Sequence, residues 1–217
     1  MTRPAIVPSH YSSALGPLML VVGIVYYFLV QYIVALAWPV PLSLKQNFIS
    51  DLGNTVCAIQ QTKYICSPLH GLMNLSFIII GLALGIGALL TCAQFPHSRA
   101  AIRALTLIGI AGIGTIFIGL LPENIAHIPH TLVAIISLVT LNLGVAGFYW
   151  SSTLSRPWRL YALVSGGCGL AALLMLILGV RTVLGLGGIE RIADYVPDLW
   201  ILGFGLHRLS RLNVQSS

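Results

Sequence analysis

Acid is scarce in this chain. Of 217 residues only five are Asp or Glu, and eleven are Lys or Arg. A charged fraction of 7%, against about a quarter in soluble domains, leaves too little polar surface to cover a water-soluble globule. No polar stretch is long enough to build a second core, so the whole of 1–217 reads as one domain. No internal repeat is visible, so the inverted-repeat signature of many secondary transporters is missing. The basic residues sit in scattered pairs at segment ends and form no patch, which excludes nucleic acid as a partner. HExxH is absent, as is any His pair bracketing a Glu.

What fills the chain is hydrocarbon: 57% of residues are hydrophobic. Apolar runs cover about 14–38, 68–92, 102–121, 129–150, 158–180 and 193–209, most of them longer than the roughly 20 residues that cross a bilayer core. The fold expected is all-α, a polytopic membrane bundle of six transmembrane helices. The first run is longer than the apolar part of a signal peptide, so it reads as an uncleaved anchor; the ALA at 35–37 keeps a cleavage site as the other reading.

Charge orients the bundle. Arg3, Arg99, Arg103, Arg156, Arg159, Arg208 and Arg211 fall in segments without an acid, whereas Asp51, Glu123, Glu190, Asp194 and Asp198 fall on the alternate side. Basic loops stay in the cytoplasm, so both termini are placed inside the cell membrane and the acids outside. Cys92 and Cys168 are expected to stay reduced. Cys57 and Cys66 share the first outer segment, Pro39–Ser67, where an oxidising exterior permits a disulfide; two free thiols are the other reading. Phe48, Ile49 and Leu52 suit a short interfacial helix in this segment. Gly81 and Gly85 stand at GxxxG spacing, read as generic close helix packing.

A polar constellation gathers at the outer helix ends: Asp51 with Ser50, His70 with Asn74 one turn on, and Glu123, His127 and His130 in the turn LLPENIAHIPH. Titratable groups at membrane depth are costly and mark functional sites by default. Three readings stay open. The groups pair with one another and hold the short loops; or they bind a lipid headgroup or small polar ligand; or they catalyse. In the catalytic reading His70, His127 and His130 hold Zn²⁺ or a similar divalent ion, Glu123 is the general base and Asp51 orients a histidine, giving a hydrolase that acts on membrane lipid at the outer leaflet. In GLGGIERIADYVPDLW, Glu190, Arg191 and Asp194 have the spacing of an ion-paired interfacial turn; alternatively Arg191 faces the pocket and meets an anionic group, with Arg181 joining it or reaching to the headgroups. His207 and Arg208 read as cations at a helix C-terminus. A transporter is disfavoured, because no acid or base is expected near the middle of a span.

ISDLG (49–53), SPLHGLMNLSFIIIGL (67–82), GLLPENIAH (119–127) and GGIERIADYVPDLW (187–200), in this order, resemble the bacterial and archaeal membrane proteins catalogued as domain of unknown function 998. The likeness covers almost the whole chain. It implies a six-helix integral membrane fold and no particular activity. Its pattern falls on Ser50, Asp51, Gly53, Asn74, Pro122, Glu123, His127, Glu190, Arg191 and Tyr195. More distantly, the SD-G element after the first span is similar to that of the six-span DRAM/Frag/Sfk group. Cys57, Cys66 and His130 are not part of either pattern and rest on the local argument. The ligand-binding candidates are therefore Ser50, Asn74, Glu190 and Arg191, beside the catalytic candidates Glu123 and Asp51.

Overall fold

The computed structural model describes residues 10–60, 63–180 and 182–214; Arg3 and Arg181 lie outside them. Six helices carry the fold: α1 (His10–Leu36), α2 (His70–Cys92), α3 (Arg99–Leu120), α4 (His127–Gly147), α5 (Arg156–Ile177) and α6 (Gly185–Val214). Each packs against its neighbour in sequence, and α6 returns to α1, which closes the bundle. The protein is a multi-pass membrane protein: α1 to α5 are long enough and apolar enough to cross a bilayer, with mean hydropathy of 2.0 to 2.4.

Local chemistry sets the helix ends. Ser98 caps α3, its hydroxyl accepting from the Ala101 N–H at 3.3 Å. Pro122 stops α3, and Pro157 sits in the first turn of α5, where its missing N–H costs nothing. The helices start and stop within a few residues of the apolar runs, with one exception. The expected sixth span, 193–209, is the middle of a 30-residue helix. Its charges suggested an interfacial turn before the span. In the structure Glu190, Arg191, Asp194 and Asp198 all lie within α6, and the first three find partners on other elements and not in a turn of their own.

Pro197 sits inside α6. It has no N–H, so the carbonyl four residues back, that of Ala193, is left without its helical partner. Asn142 of α4 supplies one: its Nδ2 donates to the Ala193 oxygen at 2.9 Å and to the Leu138 oxygen at 2.8 Å. Asn142 is fully buried and lodges against Gly169 of α5, where a Cβ would lie 1.7 Å from its Oδ1. The same economy of size joins α2 to α3: a Cβ on Gly81 would meet the Gly112 carbonyl at 2.5 Å, and the reverse substitution meets the Gly81 carbonyl at 2.5 Å. The glycines act in packing, as the small-residue spacing indicated.

At the opposite end from the outer loops the core is aromatic. Phe148, Trp200 and Phe204 are fully buried, with Trp200 and Phe204 stacked at 5.1 Å and Phe148 at 4.9 Å from both. His207 stacks on Trp158 at 4.9 Å, and Arg208 donates to the Gln94 Oε1 at 2.8 Å. Both residues are thus engaged with other helices, beyond any role at the end of their own.

Replacing Asn142 with Ala orphans the Ala193 carbonyl and is expected to cost about 1–3 kcal/mol. Gly169→Ala displaces the same side chain and should cost a similar amount. Because both act through Asn142, thermal unfolding in detergent should show the double variant well short of the summed losses; simple addition of the two would refute the shared mechanism.

Candidate functional site

The segment between α1 and α2 is tied down from three directions. Its centre is a 3₁₀ turn, Ser50–Gly53, followed by the antiparallel hairpin β1 (Ala58–Gln60) and β2 (Lys63–Ile65). Cys57 and Cys66 flank the hairpin and form a disulfide. Ile49 and Leu52 are buried and Phe48 is half-buried, so the apolar residues do point inward as expected, from a single turn of 3₁₀ helix.

From α2, Asn74 Nδ2 donates to the Gly53 carbonyl at 2.9 Å, and in the α2 approach Ser67 Oγ donates to the Leu52 carbonyl at 2.6 Å. Gly53 is required for this approach, since a Cβ there would lie 2.3 Å from Asn74 Oδ1. From the α3–α4 connection, Asn124 accepts from the Thr55 N–H at 3.0 Å and donates to the Thr55 hydroxyl at 2.9 Å. From α6, Glu190 Oε2 accepts from the Ile49 N–H at 2.5 Å. Arg191, itself buried, donates through Nη1 to three carbonyls: Asn47 at 2.6 Å, Gly187 at 2.8 Å and Leu44 at 3.2 Å. Arg191 therefore meets backbone oxygens, and it forms no ion pair with Asp194 among the described residues. Asn74, Glu190 and Arg191 all act on the backbone of the outer segment.

These ties shape an open cleft of about 380 Å³ lined by Phe48, Asp51, Val56, Lys63, Ile65, Glu123, Asn124 and His127. Asp51 is buried, and its Oδ2 accepts from the Phe48 N–H at 2.9 Å and Asn47 Nδ2 at 3.1 Å, with Lys63 Nζ at 3.8 Å. Burial pushes the Asp51 carboxyl above the usual carboxylate range; nearby Glu123 adds to the rise, while Asn47, Lys63 and the Phe48 N–H oppose it. Lys63 also donates to the Gln46 carbonyl and lies over the Phe48 ring, 4.3 Å from its centre. Glu123 accepts from the Ser50 hydroxyl at 2.7 Å and stands 3.5 Å from His127 Nδ1, whose ring is exposed.

The five groups expected to converge divide. Asp51, Glu123 and His127 share the cleft. His70 turns away, with Nδ1 at 2.9 Å from the Ser67 carbonyl. His130 is buried, with Nδ1 at 2.7 Å from the Leu121 carbonyl, and faces a second, smaller cavity with Tyr27, Ser50, Glu190 and Asp194. His70, His127 and His130 therefore do not assemble as metal ligands. Among the described residues no three His, Cys, Asp or Glu side chains are grouped to hold a metal ion. The physical reason lies in Pro122 and Pro129: they hold 123–126 as a turn, so His127 opens α4 on the solvent side while His130 rotates into the bundle.

Several site residues escaped the sequence reading. Lys63 is one base in a short polar loop, and only the hairpin register brings it to Asp51. Tyr27 and Gln31 had a legible signal: they are polar groups inside an apolar span, one turn apart. Tyr27 donates to Asp194 Oδ2 at 3.0 Å, and Gln31 accepts from the Tyr195 hydroxyl at 2.6 Å. Asp194 and Asp198 lie well inside the 30-residue α6 because the helix begins at Gly185, eight residues before the expected run 193–209.

Arg191→Met should release the outer segment. The expected loss is about 1.5–3 kcal/mol, the worth of hydrogen bonds to a charged group, with faster amide exchange across 44–53; unchanged exchange there would refute the clamp. Asp51 gives a pH test. Its folded value is raised, so its contribution to stability is full below the ordinary value of 3.8 and is lost as pH rises through the folded value. Wild-type stability measured relative to Asp51→Asn should therefore fall as pH rises across that window; a flat or rising difference contradicts the raised carboxyl.

Searches among curated proteins and solved structures give no match. The family profile described as "Protein of unknown function (DUF998)" matches residues 21–207, from the middle of α1 to the last turns of α6. Because that match spans 21–207, most of its length, the chain belongs to the DUF998 family.

Proposed function

We propose that the protein is a binding protein of the cell membrane, and that its outward cleft takes the headgroup of a zwitterionic phospholipid. In this reading α6 is the sixth span, both termini are cytoplasmic, and the cleft opens at the outer leaflet. The observation that carries it is the meeting of opposite charges over an apolar floor. Lys63 stands 3.8 Å from Asp51 and His127 stands 3.5 Å from Glu123, and Phe48, Val56 and Ile65 line the same cleft of about 380 Å³. A phosphate suits Lys63, and an ammonium suits Glu123, which is partly exposed beside the exposed His127 ring. Lipid chains would leave the cleft toward the exposed apolar faces of the helices.

Native mass spectrometry from nanodiscs of mixed phosphatidylethanolamine and phosphatidylglycerol tests this. Wild type should retain phosphatidylethanolamine selectively, and Glu123→Gln and Lys63→Ala should each lose that selectivity. Equal retention of both lipids, or a profile unchanged by both variants, overturns it. Cysteine labelling supplies the orientation: Lys45→Cys should react from outside only, and reaction from the cytoplasm alone inverts the topology.

One contact favours a second reading, that of an acid–base hydrolase. Ser50 already donates to Glu123 at 2.7 Å, the geometry of a hydroxyl and a general base. Release of a lipid product by wild type but not by Ser50→Ala would establish that reading over simple binding.

A further inference from the structure

The cavity beneath the cleft has an unusual wall. It measures about 50 Å³ and is walled by Tyr27, Ser50, His130, Glu190 and Asp194 among apolar side chains, room enough for a water molecule. The hydrogens of both hydroxyls on its wall are already committed. Tyr27 gives its proton to Asp194 Oδ2 at 3.0 Å, and Ser50 gives its proton to Glu123 at 2.7 Å. His130 Nδ1 faces the Leu121 carbonyl at 2.7 Å. A carbonyl only accepts, so Nδ1 carries the hydrogen in this contact. Glu190 and Asp194 add carboxyl oxygens. The two acids thus face a wall whose hydroxyl hydrogens point elsewhere.

The acids continue downward. Glu190, Asp194 and Asp198 stand four residues apart, on one face of α6. Asp198 is buried, and its Oδ1 has no hydrogen-bond partner among the described residues. It lies thirteen residues beyond Gly185, the first residue of α6, which is about 20 Å along the helix at 1.5 Å per residue. An ionised carboxylate at that depth without a partner is costly. Lys63 lies outside in the cleft, and Arg191 keeps its charge beside Glu190 while its Nη1 donates to three backbone carbonyls, so one cation meets three acids on this helix. Facing groups from the other elements are Tyr27 of α1, His130 of α4 and Glu123 of the α3–α4 turn; Tyr195 on α6 donates to Gln31. α2 and α3 contribute only Phe77 and Ile118 to the wall.

We propose that this chamber, lined by Glu190 and Asp194, and the buried Asp198 one helical turn below it form a proton-binding site inside the membrane protein, with an excess proton held along this row of acids, and that it exchanges with the cleft through the Ser50 hydroxyl. Ser50 lines the chamber while its hydrogen is given to Glu123, which lines the cleft. A proton arriving at Glu123 is relayed: the Ser50 hydroxyl turns and gives its own hydrogen to a chamber carboxylate, then takes one from Glu123, so each O–H bond formed is matched by one broken. A proton suits the site better than a metal ion, since no three acidic or imidazole groups here are grouped to ligate one. The site stands whether or not the cleft holds a headgroup.

Infrared spectroscopy of the purified protein in nanodiscs tests it. Wild type at neutral pH should show a protonated-carboxyl band that disappears on alkalinisation. Asp194→Asn and Asp198→Asn should each remove intensity from it; Glu190→Gln provides the same reading if either fails to fold. After transfer to heavy water, Ser50→Ala should deuterate the band several-fold more slowly than wild type. Absence of the band at neutral pH, or a band untouched by all three carboxyl substitutions, overturns the proton site. Loss of the band on replacing choline chloride with sodium chloride overturns it too, because a metal cation would then be the occupant. An unchanged deuteration rate in Ser50→Ala overturns the exchange route.

Discussion

The outer half of the molecule depends on a pair of adjacent side chains. Glu190 accepts the Ile49 amide, and Arg191 collects the carbonyls of Leu44 and Asn47 together with one from its own helix. An irregular segment has no internal ladder for its backbone groups, so it is ordered only where other elements take them up. Here α6 does that for 44–49. The 3₁₀ turn that follows is thereby placed, which brings Ser50 to Glu123 and Asp51 to Lys63. Without that anchor the cleft has no floor and the chamber beneath it has no roof.

Much of this was legible in the chain. Long apolar runs bounded by Pro, Ser and Arg gave five helices to within a few residues, since a bilayer leaves the backbone little choice. The Cys57–Cys66 pairing was legible from compartment and proximity in sequence. The convergence of Asp51, Glu123 and His127 followed from short connections at one end of a bundle. His130 did not follow, because its direction depends on the rotation of α4, and three residues of helix turn it away from His127 toward the interior.

The failure at α6 is more instructive. Four charges within nine residues argue for a solvated turn when read alone. Their partners are Ile49, Asn47 and Tyr27, which come from more than a hundred residues earlier in the chain. No window along the sequence contains that information. The polar residues Tyr27 and Gln31 in α1 were the available hint, since an apolar span has reason to carry them only if another helix answers.

Pro197 extends the point to biogenesis. The Ala193 carbonyl finds its donor on Asn142, a residue fixed in α4. A helix made after α4 thus arrives with one carbonyl unmet and is completed by a side chain already in position. Vectorial synthesis makes the order natural: α4 emerges before α6, and the helix broken by proline docks onto it as a stave fitted to its neighbour.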